Sequence, residues 1–268
     1  MTLIGYDLRR TRTAGIFAST ALFCFHFLMA YVYRALTNSL AGGPAVFTRF
    51  IPKQIQAFLG VDRLAPDSIE GFLALVYQHP FVLIVVAGLV ISCCSELLAG
   101  RLERLTIVHL LSRPLCRAWL PLSAQLVTLF WLCGASLAAV FGTWAGFSHL
   151  GLKLPHVVQL AKLAAMLFLL GTALAGMCLI FSAALSLRAD AIGWSVTVLL
   201  IMYIGNFLSQ LWLAAKPWAQ LSLFNYYVPI HIFLEGSIPL PSVVIFILCA
   251  LGGTLVSCAI YLVREFHV

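Results

Sequence analysis

The sequence predicts an all-α polytopic membrane protein. Its expected plan is six transmembrane helices, an N-terminal amphipathic helix and a second amphipathic helix in a cytoplasmic loop. Three observations carry this. Of 268 residues, 62% are hydrophobic and 9% charged, and mean hydropathy is +1.04, whereas soluble domains run about 45–50% apolar and about 25% charged. The apolar residues fall into charge-free runs long enough to cross a bilayer, which takes about 20 helical residues. The few charges gather at the ends of those runs. A water-soluble monomer, a disordered chain and a collagen-like repeat are thereby excluded. The net charge of +7, from 16 Lys and Arg against 9 Asp and Glu, reads as cations at membrane boundaries rather than a nucleic-acid surface.

The spans follow from the charges that bracket them. The first, 14–33, lies between Arg12 and Arg34 and is long for a signal-peptide core. Ser39-Leu40-Ala41 has the form of a cleavage triplet, but the segment is read as a retained helix. The others are expected near 75–95, 119–144, 163–187, 191–215 and 241–263, in one domain over 1–268. A leftover apolar segment, 217–234, is interrupted by Pro217, Asn225 and Pro229 and carries Phe224, Tyr226 and Tyr227. Prolines break a straight span and such aromatics favour the headgroup level. It is expected as an interfacial or re-entrant hairpin; a broken seventh span is the alternative and would separate the two termini.

Arginine and lysine placement sets the orientation. Both termini inside puts Arg9, Arg10, Arg12, Arg101, Arg104, Arg113, Arg117, Arg188 and Arg264 on the cytoplasmic side. The outer side then holds Arg34, Arg49, Lys53, Arg63, Lys153, Lys162 and Lys216 over longer loops. The expectation is a multi-pass inner-membrane protein.

Two loops stand out. The outer loop 34–70 has apolar patches at 47–51 and 55–61 around Lys53 and Gln54, as short amphipathic surface helices or a packed cap would. In the loop 96–118, Leu102, Leu105, Ile107, Leu110 and Leu111 recur near helical spacing beside Arg101, Arg104 and Arg113, until Pro114 stops the pattern. Such a helix lies on a membrane or docks a soluble partner. The N-terminus repeats the pattern on a smaller scale, with Leu3, Ile4 and Tyr6 beside Asp7, Arg9, Arg10 and Arg12. It reads as a helix lying along the inner leaflet before bending into the first span, or equally as a simple positive-inside anchor for it.

Signatures of chemistry are few. The chain has no P-loop, no H-E-x-x-H and no G-x-S-x-G. No Asp, Glu, Lys or Arg falls near the middle of a span, which argues against an ion-coupled carrier. The eight cysteines form no C-x-x-C and read as small apolar side chains. His26 reads as a buried histidine bonded to a neighbouring helix. Asn206 and Gln210, at i and i+4, read as interhelical hydrogen-bonding groups or as the lining of a polar path. His149 and His156 lack a third ligand and make a weak metal site.

The segment 100–119 resembles the first cytoplasmic loop of type-2 ABC exporter permeases. The matching residues are Gly100, Glu103, Arg104, Thr106, Leu110, Leu111, Ser112, Arg113, Pro114 and Arg117. Leu105 stands where that family usually has glycine, and Arg101-Leu102 replace an acidic pair. Gly71-Phe72-Leu73 followed by His79-Pro80, and Tyr226-Tyr227-Val228-Pro229, are similar too. The resemblance implies an export permease with six spans and cytoplasmic termini. It implies pairing with a second permease as homodimer or heterodimer, and docking on cytoplasmic ABC ATPase subunits. ATP and Mg would sit on that partner ATPase, with no cofactor and no ATPase site in this chain. The helix over 101–112 would be the coupling helix, with Arg101, Glu103, Arg104, Thr106, Leu110, Ser112 and Arg113 as partner contacts. Asn206 and Gln210 would be candidates for the pathway. Membrane lipid is the other expected contact and nucleic acid is not expected. The alternatives are a membrane enzyme or accessory factor using His79, His149 and His156, and a structural anchor.

Overall fold

The computed structural model describes residues 3–39, 69–104, 116–154, 156–212 and 216–264. Every regular element among them is helical. In chain order these are α1 (Leu3–Ser39), α2 (Ile69–Gln78), α3 (Pro80–Leu97), α4 (Ala99–Glu103), α5 (Trp119–His149), α6 (Val157–Ala184), α7 (Arg188–Leu211), α8 (Lys216–Ala219), a 3-10 turn (Leu223–Tyr226), α9 (Ile230–Leu234) and α10 (Leu240–Val263). Among the described residues, six helical stretches are long and apolar enough to cross a membrane. The chain is an all-α, multi-pass membrane protein.

Local chemistry explains several boundaries. The α1 helix runs unbroken from Leu3 to Ser39, so the arginine-bearing N-terminal turns continue the first span instead of forming a separate surface helix. The second span is broken between Gln78 and Pro80. There Pro80 takes the first helical position and the Phe81 amide donates to His79 Nδ1 at 3.1 Å, an N-terminal cap of the kind a proline start favours. The α5 helix passes its expected end and stops in a Schellman motif. Leu152 N donates to Phe147 O at 3.0 Å and Gly151 N to Ser148 O at 3.1 Å. Gly151 adopts φ +64°, where glycine pays no Cβ penalty.

The core is built around α6 and α3, the most enclosed spans, while α1, α7 and α10 lie at the periphery. The α6 and α10 helices cross where Gly176 meets Gly253: a Cβ built on either would overlap the other helix's backbone. Close crossing at small residues is how helices gain packing energy where lipid tails remove the hydrophobic drive. The α1 helix packs chiefly on α5.

The 217–234 region divides into α8, the 3-10 turn and α9, none of span length. Ser222 Oγ donates to Met202 O at 2.8 Å, and Tyr227 Oη to Tyr77 O at 3.0 Å. The segment is therefore tied to α7 and α2 at one end of the bundle. The start of α1 and the end of α10 both lie at the opposite end, beside Glu96 and Arg117 respectively. A seventh span is overturned. The expected patches at 47–51 and 55–61 lie outside the described residues.

Candidate functional site

At the end of the bundle where the chain starts and finishes, six segments converge: the start of α1, the end of α3 with α4, the start of α5, the end of α6, the start of α7 and the end of α10. Buried apolar side chains such as Leu97, Leu98, Leu120 and Tyr261 pack these ends, and a network of ion pairs and caps joins the charges gathered there.

Its centre is Glu96, in the last turn of α3 and 8% exposed. Three guanidinium groups from three elements meet its carboxylate: Arg10 Nε of α1 at 2.5 Å, Arg104 Nη2 after α4 at 3.1 Å, and Arg188 Nη1 of α7 at 2.8 Å. Glu103 adds a second tie, its Oε2 accepting from the Arg188 backbone N–H at 2.9 Å. That amide is among the N-terminal groups that α7 itself leaves without an intrahelical partner, so a carboxylate there is doubly favoured. Gly100 keeps the turn compact: an added Cβ would stand 3.3 Å from Ser95 O and 3.5 Å from the Glu96 carboxylate.

A second pair lies beside it. Arg101 of α4 is ion-paired with Asp7 of α1, and both are essentially sealed from solvent. Ser123 Oγ of α5 donates to the other Asp7 oxygen at 3.4 Å. One turn along, Trp131 Nε1 donates to Thr11 Oγ1 at 2.9 Å, and Thr11 Oγ1 donates to Asp7 O at 2.9 Å.

The far side of the loop is held as well. Arg117 Nη1, just before α5, donates to Arg264 O at 3.3 Å. The Arg264 side chain donates to Ala183 O, to Leu185 O at 3.4 Å and, through Nη2, to Ser186 Oγ at 2.6 Å. A cation on the last carbonyls of α6 satisfies acceptors the helix leaves open and opposes its dipole. The segment 96–118 is thus anchored at both ends.

The residues singled out from the sequence divide three ways. Glu103 and Arg104 are exposed and belong to the network. Arg101 belongs to it too, but 1% exposure places its guanidinium inside the chain and not on a partner-facing surface. Leucine periodicity put it on the charged face; the buried Asp7 carboxylate, distant in sequence, draws it inward. Thr106, Leu110, Ser112 and Arg113 lie outside the described residues. Asn206 is buried in α7, with its backbone carbonyl accepting from Ser209 Oγ at 2.7 Å; the side chain of Gln210 is not among those described. His26 Nδ1–H donates to Leu22 O of its own helix at 2.8 Å, not to a neighbouring helix, and its ring packs on Tyr77. His79 caps α3, while His149 lies against Phe27 and Tyr31, so these two histidines serve separate contacts. Among the described residues no three His, Cys, Asp or Glu side chains are grouped to hold a metal.

No family model matches the chain, and no curated protein matches it. The site therefore stands on its own geometry.

Sequence reasoning missed Asp7, Arg10, Glu96, Arg188 and Arg264 as site residues. One signal was available. In a chain with so few acidic residues, Asp7, Glu96 and Glu103 all fall where arginines are densest, and a carboxylate at a membrane boundary needs a partner.

Proposed function

We propose that the chain is the transmembrane permease subunit of an ATP-driven exporter, powered by separate cytoplasmic ATPase subunits, with its arginine-rich end facing the cytoplasm. One observation carries the reading. The segment 96–104 is joined by ion pairs and hydrogen bonds to α1 and α7, and through Asp7 of α1 to Ser123 of α5, while Glu103 and Arg104 remain exposed. A push applied at Glu103 and Arg104 reaches α1 and α7 directly through charged contacts, and α5 through Asp7. A motor outside the membrane needs such a lever. The scarcity of ionisable groups inside the spans supports an external energy source. So does the resemblance of 100–119 to type-2 ABC exporter permeases.

In this reading a second permease pairs with the first, and the pathway forms between them. A lateral groove of about 300 Å³ between α3 and α7, lined by Leu83, Ala87, Gly88, Leu199, Leu200 and Tyr203 among others, suits a substrate with an apolar part. Asn206 would stand near the pathway on α7, with Gln210 one turn on.

The test is reconstitution with the ATPase that co-purifies with the chain. Glu103→Arg combined with Arg104→Glu is expected to lower transport-coupled ATP hydrolysis while leaving membrane insertion intact. Unchanged coupling would remove the loop from the mechanism, and absence of any associated ATPase would remove the function.

A further inference from the structure

The arginine-rich end contains more cation than its own carboxylates absorb, and the surplus is not spread evenly. Arg10, Arg101, Arg104, Arg117, Arg188 and Arg264 are all engaged with protein acceptors. Arg9 and Arg12 differ. Both are exposed, and neither has an ion pair or side-chain hydrogen bond among the described residues.

Their place on α1 says what they face. Residues 9, 12, 16, 23 and 31 fall on one side of a 3.6-residue helix. On that side Ile16, Phe23 and Tyr31 are exposed, with Phe17 (72% exposed) beside them. Below the two arginines the face is predominantly apolar, and it carries no further charge down to Arg34, itself exposed. Arg12 and Arg34 are 22 residues apart (34 − 12), about 33 Å at the helical rise, close to the ~30 Å hydrocarbon thickness. Arg12 therefore reaches the headgroup layer just as Ile16 and Phe17 enter the acyl layer. Arg9 lies one turn further out.

We propose that Arg9 and Arg12 form a binding site for the phosphate headgroup of an anionic phospholipid, whose acyl chains lie along Ile16, Phe17 and Phe23. The continuous helix is essential to this: a bend near residue 13 would take the arginines off the apolar face. Guanidinium groups pair well with phosphate oxygens, and each basic residue near an anionic headgroup layer strengthens binding about five-fold. Together they predict a preference of about 25-fold over a zwitterionic lipid with the same chains.

The experiment uses the full chain in dodecyl maltoside micelles doped with phosphatidylglycerol or phosphatidylcholine of identical chains, with native mass spectrometry reading the first bound lipid. Phosphatidylglycerol should bind about 25-fold more tightly. Arg9→Gln with Arg12→Gln should bring the two lipids to near parity, Arg9→Lys with Arg12→Lys should keep most of the preference, and Arg34→Gln should leave it largely in place. Equal binding of the two lipids by the unaltered chain would overturn the proposal. So would an undiminished preference in the double glutamine variant, or displacement of the lipid by excess inorganic phosphate. If the glutamine variant fails to fold, the unaltered chain and the lysine variant still decide. No ATPase enters the assay, so the result is independent of the transport reading.

Discussion

Glu96 shows why burial has to be weighed before ion pairs are counted. Arg104 is 53% exposed in its side chain, and an exposed pair contributes at most about 1 kcal/mol. Arg104→Gln should therefore change stability by less than about 1 kcal/mol. Glu96→Gln should cost several times more, because it leaves Arg10 and Arg188 facing a neutral amide in a largely buried site. Thermal unfolding of the two variants in detergent orders them, and equal midpoints would contradict the central role of Glu96. The Asp7–Arg101 pair gives a sharper contrast. Arg101→Leu alone strands a buried carboxylate and should cost about 3–5 kcal/mol, as should Asp7→Leu alone, whereas replacing both is expected to cost much less than the sum. A double-mutant cycle on unfolding free energies reads this coupling directly; simple additivity would mean that the two charges do not depend on each other.

Among the helices, the crossing of α6 and α10 depends on having no side chain at the contact. Gly253→Val would push its side chain into the backbone around Gly176, while a Cβ added at Gly252, its neighbour in sequence, would have nothing within 4 Å. Gly253→Val should lower the unfolding midpoint and broaden the elution profile, and Gly252→Ala should do neither. The same sequence dipeptide thus carries two different roles, separated only by which way each residue faces. The broken second span makes a comparable point. Pro80 ends one helix and starts the next, and His79 supplies the cap, so His79→Ala should destabilise by about 1 kcal/mol without touching any ion pair. A thermal-shift measurement that found a larger loss would point to a further role for the imidazole.

For the whole molecule, the start of α1 and the end of α10 share one end of the bundle with the segment 96–104, while α2, α8 and α9 gather at the other. Tags placed at the two termini should accordingly be accessible from the same side of sealed vesicles; protection of one and exposure of the other would contradict the six-span topology. The arrangement also joins chain ends that no sequence pattern connects. Arg117 and Arg264, 147 residues apart, meet through a side chain and a carbonyl, and Arg264 in turn caps α6. The loop that the transport reading assigns to the motor is therefore fastened to the last helix as well as the first. This is why its movement would be shared by the bundle.

The amino-acid sequence by itself determined the class, the six spans and the end of the bundle where positive charge collects. These properties are sums over stretches of chain: transfer of about 20 apolar residues into lipid dominates any single contact, so it survives without knowledge of neighbours. It also marked Glu103 and Arg104, which are exposed in the structure. Only the tertiary structure decided that Arg101 turns inward to Asp7, that Glu96 gathers three arginines, and that α1 is one unbroken helix with Arg9 and Arg12 exposed on it. Apart from Arg104–Glu96 within one turn region, each ion pair of the network depends on which distant segment supplies the opposite charge. Pairing between residues 86 to 94 positions apart leaves no local periodicity to read.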